Sequence, residues 1–414
     1  MVHVASETGR LRRVVIQRPG AALSCMLPAH IHPGSEDYLL FDDLVHVPQA
    51  QREHDQLAAV LRTTAEVAYV DDMLLHCLGA SDARSWLIDE VQKLEDLDGE
   101  TWRRLREMEP SDLAYALVTG AGTTMNPLPN LLFARDLAAV VGDLLVVSNA
   151  SKAARRRESL LAWTIARHHP WFAHADVARR RGRYPLTIEG GDVLVISREL
   201  ALIGASERTS WSMIINLAHD LVRRGYTRVL VAEMPKQRSS MHLDTVFTLV
   251  DEDTAVVYPP ILEQGREECN IIRLRKSGAE LAVEDMEGDL IQCLAEEGHP
   301  LNAIPCGGGD PLLARREQWT DGANFVCLAP GVAVGYARNV YTGHALEDQG
   351  FTVVDSQRYL SDFVKDFGGD FDRLANSDRR YVVNITGSEL CRGRGGPRCL
   401  TFPVQRDQPV SARP

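Results

Sequence analysis

The chain lacks any apolar run near the ~18 residues of a membrane span, so no membrane partner is expected. It also lacks a basic excess: 45 basic residues face 57 acidic ones, a formal net charge of -12, and no basic stripe is interleaved with aromatics. Nucleic acid is thereby excluded as an expected partner. Its eight cysteines among 414 residues are too dilute for a disulfide framework, and none is spaced CxxC; Cys391 and Cys399 are the nearest pair. A reduced, cytoplasmic chain whose thiols are mostly small core hydrophobes is expected. The opening MVHVASETGRLRRVVIQRPG has no apolar stretch and no small-residue cleavage site, so no signal peptide is expected. His168, His169 and His174 lack zincin spacing, and no metal site is expected. The CGGGD stretch at Cys306 lacks the Lys-Ser/Thr of a phosphate loop, precedes no clear helix and reads as a turn.

What is present is the profile of an ordinary soluble globular protein, 45% hydrophobic and 25% charged. RRVVIQRPG reads as a strand closed by a Pro-Gly turn, residues 47–62 as a helix with Ala50, Leu57, Val60 and Leu61 on one face, and TAEVAYVDD as a second strand. Between Ser81 and Thr119 three short amphipathic helices follow one another without a strand, a small helical insertion in a mixed protein. From Asn130 onward a unit recurs. AAVVGDLLVVSN, GGDVLVISRELALIG, TVFTLVDEDTAVVYP and ANFVCLAPGVAVGY are each two apolar runs joined by a Gly- or Asp-bearing turn, a hairpin pattern, and helical patterns follow the first two. The units share rhythm rather than letters. Arranged in a ring, they would place their loops around one central cavity.

Four segments concentrate polar residues and glycine beside apolar strands: PNLLFARD, EGGDVLVIS, MHLDTVFT and RGRGGPRCLTFP. On an extended MHLDTVFT, His242 and Asp244 leave the same face, as a general acid/base and its charge partner would. Cys399 opens an apolar run after a loop rich in Gly and Arg, where Arg394 and Arg398 would favour a thiolate. Glu189 supplies a carboxylate near a bound cation. Asp136 and Arg135 leave opposite faces of an extended PNLLFARD, so at most one of them enters a given cavity. A planar guanidinium is well matched by paired carboxylates, and a Cys with a His divides amidine hydrolysis into two covalent steps. Each segment has a bland reading too, as turn, cap or mobile loop.

These segments, with SETGRLRRVVIQRPG, LLFDD, EHD, ASERTS, PKQRSSMHLDTVFTLVD and REQWTDGANFVCLAPGVAVGYARNVYT in the same order, resemble the arginine deiminase family of guanidino-modifying (pentein) enzymes. The resemblance implies an α/β fold, a five-bladed α/β propeller of pseudo-fivefold ββαβ repeats with a small helical insertion: one catalytic domain over 1–414 with a helical subdomain at 81–119. It implies Cys399 as nucleophile, His242 as general acid and then base, Asp136 and Asp244 on the guanidinium, and Glu189 beside His242. It further implies Asn130, Arg155, Arg208 and Arg394 on the substrate carboxylate, Phe133 on the aliphatic stem and the Gly393 backbone at the α-ammonium. Ala134 and Leu137 stand where the family more often has Thr and Pro. The implied reaction converts free L-arginine to citrulline and ammonia with no cofactor; a homo-oligomer is possible. An amidinotransferase, a deiminase of a modified arginine or other guanidino compound, and a non-catalytic arginine binder are the rivals.

Overall fold

The computed structural model describes residues 2–178, 186–262, 269–278 and 280–408. Among them the strands form five separate sheets. All four expected hairpins are present and antiparallel: Ala138–Val141 with Leu144–Val147, Val193–Val195 with Leu200–Ala205, Phe247–Asp251 with Thr254–Val257, and Val326–Ala329 with Val332–Tyr336. In each, the second strand then gains a parallel neighbour through a crossover that contains a helix. The parallel strands are Asp176–Val177, Arg228–Glu233, Asn302–Pro305 and Tyr381–Ile385.

The fifth unit has the same plan but is split between the two ends of the chain. Thr401–Arg406 pairs antiparallel with Leu11–Ile16, which pairs in parallel with Glu66–Tyr69 beyond the helix Val47–Leu61. A right-handed parallel crossover needs a dozen or more residues, usually a helix, which accounts for the helix in every unit. The hairpin strands Ala138–Val141, Leu144–Val147, Val193–Val195 and Val326–Ala329 are buried on both faces, as expected of sheets covered on each side.

The residues 81–119 form three helices, Ser81–Glu95, Gly99–Glu107 and Pro110–Thr119. Asp98 caps the second by accepting from the N–H groups of Glu100 and Thr101, and Gly120 ends the third at φ 74°. Two sequence expectations need correction. TAEVAYVDD is a strand only through Tyr69, because Val70 opens a helix whose first turn carries Asp71 and Asp72. CGGGD is a turn as expected, with Gly307 and Gly308 at positive φ, but it leads directly into the helix Pro311–Trp319, capped by Asp310. No helix of the described residues is long and apolar enough to cross a membrane.

Each unit delivers polar residues to one place, the short segment just ahead of its first hairpin strand. Asp136 precedes Ala138, Glu189 to Asp192 precede Val193, His242 to Thr245 precede Phe247, and Cys399 precedes Thr401.

Candidate active site

Three of those segments contain tight 3-10 turns, and Cys399 lies in a hydrogen-bonded turn, rather than on strand ends. His242 and Asp244 do not alternate along a strand; His242 is extended and Leu243–Thr245 is one turn, so Asp244 is turned behind the thiol. PNLLFARD is likewise two turns, Pro129–Leu132 and Ala134–Leu137. The expected separation of Arg135 and Asp136 still holds. Asp136 faces the cavity, while the Arg135 amide donates to the Cys399 carbonyl at 3.0 Å and its Nε to the Arg398 carbonyl.

One small cavity gathers Asn130, Phe133, Asp136, Arg155, Arg208, His242, Gly393, Arg394 and Cys399. Glu189 and Asp244 stand behind its wall, touching His242 and Cys399. Leu40, Arg238, Met241 and Thr245 complete the lining. A wider cleft lies between residues 17–23, which include part of the short helix Ala21–Ser24, and the helix Pro110–Thr119. It holds Asp71 and Asp72 but neither a cysteine nor a histidine, so size does not locate the chemistry.

The buried Cys399 Sγ lies 3.8 and 3.9 Å from the two Asp244 oxygens. His242 Nε2 is 3.0 Å from Glu189 Oε2, and its Nδ1 is 3.7 Å from Asp136 Oδ1. Gly191 makes that packing possible, since a Cβ there would fall 2.8 Å from the imidazole Cγ. Asp192 fixes the same turn: its Oδ1 accepts from the Leu243 amide at 2.9 Å and its Oδ2 from Ser206 and Thr209 at 2.6 Å.

Electrostatics divide the pair. Burial disfavours an imidazolium at His242, but Asp136, the Glu189 hydrogen bond and Asp192 outweigh it and push its pKa up to about 9. Burial, then Asp244, Asp136 and Asp321, hold the Cys399 thiol well above its ordinary range. Arg398 does not reach the thiol as expected from sequence. It donates to Asp244 Oδ2 at 2.8 Å, Glu7 Oε2 at 3.1 Å and the Val193 carbonyl at 2.9 Å. The same carboxylates thus favour a protonated imidazole at His242 and disfavour a thiolate at Cys399.

The arginines expected on the substrate carboxylate already have carboxylate partners of their own. Of the adjacent Arg155, Arg156 and Arg157, only Arg155 lines the cavity; Arg157 pairs with Glu95. Arg155 Nη1 lies 2.6 Å from Asp136 and 3.2 Å from Glu189, with Nε 2.8 Å from Glu158. Arg208 contacts Glu189 at 3.2 Å and Glu207 at 2.9 Å. Burial tends to raise the Glu189 pKa, yet Arg208, Arg155 and His242 together hold it far below the usual carboxylate range. Arg394, at φ 66°, lies 3.7 Å over the Trp319 ring and donates to the Trp319 carbonyl. Asn130 donates to the Leu39 carbonyl at 2.8 Å, and Phe133 packs on Phe41 at 5.9 Å between ring centroids.

Asp136, Glu189 and His242 are the described residues whose donor atoms converge closely enough to hold a metal ion. Arg155 and Arg208 already stand against the two carboxylates, so the set is arranged to balance positive charge contributed by side chains.

The family model described as arginine deiminase matches residues 37–123 and 106–406. The chain belongs to the arginine deiminase family. A relative named arginine deiminase from Bacillus thuringiensis subsp. konkukian is 34% identical over 439 residues, covering 98% of each chain. One from Listeria monocytogenes serovar 1/2a is 32% identical over 438 residues, again 98% of each. The fold is also similar to that of the N-terminal domain of ArgZ, an arginine dihydrolase solved with substrate (TM-score 0.54, 13% identity, 95% of this chain and 98% of that one). A dimethylarginine dimethylaminohydrolase from Pseudomonas aeruginosa with bound citrulline has a TM-score of 0.51 at 12% identity, over 95% of this chain and 99% of that one.

Within this deiminase-family fold, reading by residue type missed Glu7, Asp192, Arg238 and Asn324. The signal that could have found Asn324 is the repeat itself. Asp136, Asn324 and Cys399 each stand two residues ahead of the first strand of their unit.

Proposed function

We propose that this protein hydrolyses free L-arginine to L-citrulline and ammonia through an amidino-cysteine intermediate, and that its five units form the blades of an α/β propeller around the cavity. Residues 1–414 are taken as one cytoplasmic catalytic domain, with 81–119 as an inserted subdomain. The observation that carries this reading is the cavity where Cys399 abuts Asp244 and His242 is held between Asp136 and Glu189.

The substrate guanidinium would lie between Asp136 and Asp244, whose charges it balances. The same carboxylates hold the proton on Cys399, so an arriving cation offsets their field and the thiol proton is released to solvent as the thiolate attacks the guanidinium carbon. A C–S bond forms; the imidazolium of His242 then protonates the departing nitrogen and the C–N bond breaks, releasing ammonia. His242, now neutral, takes a proton from water, which attacks the thiouronium carbon. Collapse breaks the C–S bond, the leaving thiolate takes up the hydroxyl proton of the adduct, and citrulline is released with the Cys399 thiol restored. Phe133 would pack on the aliphatic stem, the Gly393 carbonyl would receive the α-ammonium, and Asn130, Arg155, Arg208 and Arg394 would meet the carboxylate. The chemistry supplies its own electrophile and requires no cofactor.

Incubation with L-arginine and no added amine, followed by mass spectrometry, should give citrulline and ammonia in equal amounts. Turnover only in the presence of an acceptor amine would instead make the protein an amidinotransferase.

A further inference from the structure

We propose that Asn324 is a positioning residue that fixes the nucleophile against the guanidinium-binding carboxylate; this rests on the deiminase reading above. Four of the five pre-strand segments carry residues already placed in the chemistry. The remaining one, ahead of Val326–Ala329, brings Asn324 to the position that Asp136 and Cys399 occupy in their own units.

Its side chain is fully buried and every contact is directional. Oδ1 accepts from the amides of Arg398 at 3.0 Å and Cys399 at 3.1 Å, and Nδ2 donates to the Asp244 carbonyl at 2.8 Å. Two N–H donors on one side and a carbonyl on the other leave only one amide orientation. The loop must pass close for this: a Cβ at Gly396 would fall 2.7 Å from the Asn324 Cβ and Oδ1. Asn324 thus ties the backbone that carries Sγ to the backbone that carries the Asp244 carboxylate. Those two side chains are only 3.8–3.9 Å apart. An error of about 1 Å in such a pair can cost ~10²-fold in rate.

The test uses two variants and a readout that does not depend on turnover. Asn324→Ala removes both halves of the clasp and should lower kcat by at least about tenfold, with a smaller rise in KM because Asp244 also meets the guanidinium while the remaining substrate-binding groups do not touch Asn324. Asn324→Asp keeps the shape. Protonated, its hydroxyl can donate to the Asp244 carbonyl while the other oxygen accepts the two amides; ionised, it faces that carbonyl with an acceptor only. The groups around it are the Asp244 carboxylate, the Cys399 thiol, the Arg398 guanidinium and, on its own turn, Asp321. The kcat of Asn324→Asp relative to the parent should therefore approach one near pH 5 and fall by about tenfold toward pH 8. Iodoacetamide labelling of Cys399, followed on its peptide, should change with pH in the same way.

A kcat for Asn324→Ala within about threefold of the parent overturns the proposal, as does an Asn324→Asp profile parallel to the parent's in both readouts. If Asn324→Ala does not fold, the Asn324→Asp ratio decides alone. Should the parent fail to turn over arginine, the deiminase reading fails, while labelling still reports on the clasp.

Discussion

The two ends of the cavity are held in opposite ways. At the thiol end the carboxylates sit in tight turns ahead of strands, and each of Asp244, Glu189 and Asp136 has a cationic partner within 2.6–3.2 Å. At the other end Arg155 and Arg208 are tied back to the first by Asp136 and Glu189 at 2.6–3.2 Å, while Arg394 stands on a loop, its Nε making no hydrogen bond and lying 3.9 Å from Asp42. The difference teaches that the arginines are not equivalent. Two are held tightly by buried carboxylates, and the third has only a looser carboxylate partner.

Breaking the thiol end should have the largest effect. Cys399→Ser should lose essentially all turnover while folding normally, because a serine hydroxyl without a matched base is a far poorer nucleophile. Quenched wild-type enzyme should carry an amidine adduct on the Cys399 peptide by mass spectrometry. Cys391 is the internal control, with a thiol pushed up to about 12 by burial and Asp321 despite nearby Arg338. An adduct on Cys391, or activity in the Ser variant, would refute the assignment. Next comes His242→Ala, expected to slow turnover by ~10²–10⁴-fold, as for other acid/base groups. A near-parental rate with intact circular dichroism would make His242 structural.

Much of this was legible in sequence, for reasons that differ by residue. The four hairpins were readable because a strand pair with a tight turn writes its period and its Gly or Asp locally. The fifth pair was not, since Leu11–Ile16 and Thr401–Arg406 are joined by no turn. His242, Cys399 and the carboxylates stand out by type. Asn324 and Asp192 do not, because an Asn or Asp ahead of a strand is ordinary turn chemistry and their partners are backbone amides and hydroxyls remote in sequence. The pairing of Arg155 with Asp136 was equally invisible, and it changes what recognition should measure.

At the arginine end the expected effect is smaller. Had all three arginines been unpaired, a substrate without a carboxylate would leave three charges stranded and agmatine would be rejected by ~10⁴-fold or more. With Arg155 and Arg208 already matched, agmatine forfeits mainly the bond to Arg394, a charge-assisted interaction of ~1.5–3 kcal/mol, or roughly 10–150-fold in kcat/KM. Arg394→Ala should bring arginine down to about the rate of agmatine and leave agmatine within about threefold. Equal losses for both substrates would mean that Arg394 shapes the loop instead of reading the carboxylate.

The smallest effect tests the junction between the two ends, Glu189, whose Oε2 meets His242, Arg155 and Arg208 together. Glu189→Gln removes a charge that holds the proton on His242. The general acid must be protonated, so parental kcat should fall as pH rises through about 9. In the variant that alkaline limb should move to lower pH by about one unit, leaving rates near pH 6 within about tenfold. Stability should follow the same sign. A histidine raised above its ordinary ~6.5 stabilises the fold fully below that pH and loses the contribution as pH rises through its folded value. The Tm gap between parent and Glu189→Gln should therefore be widest near pH 6 and narrow toward pH 9.5, leaving the part due to Arg155 and Arg208, which stay charged throughout. An unmoved alkaline limb together with a pH-independent Tm gap would show that Glu189 serves only the arginines, and the two ends would then be coupled through Asp136 alone.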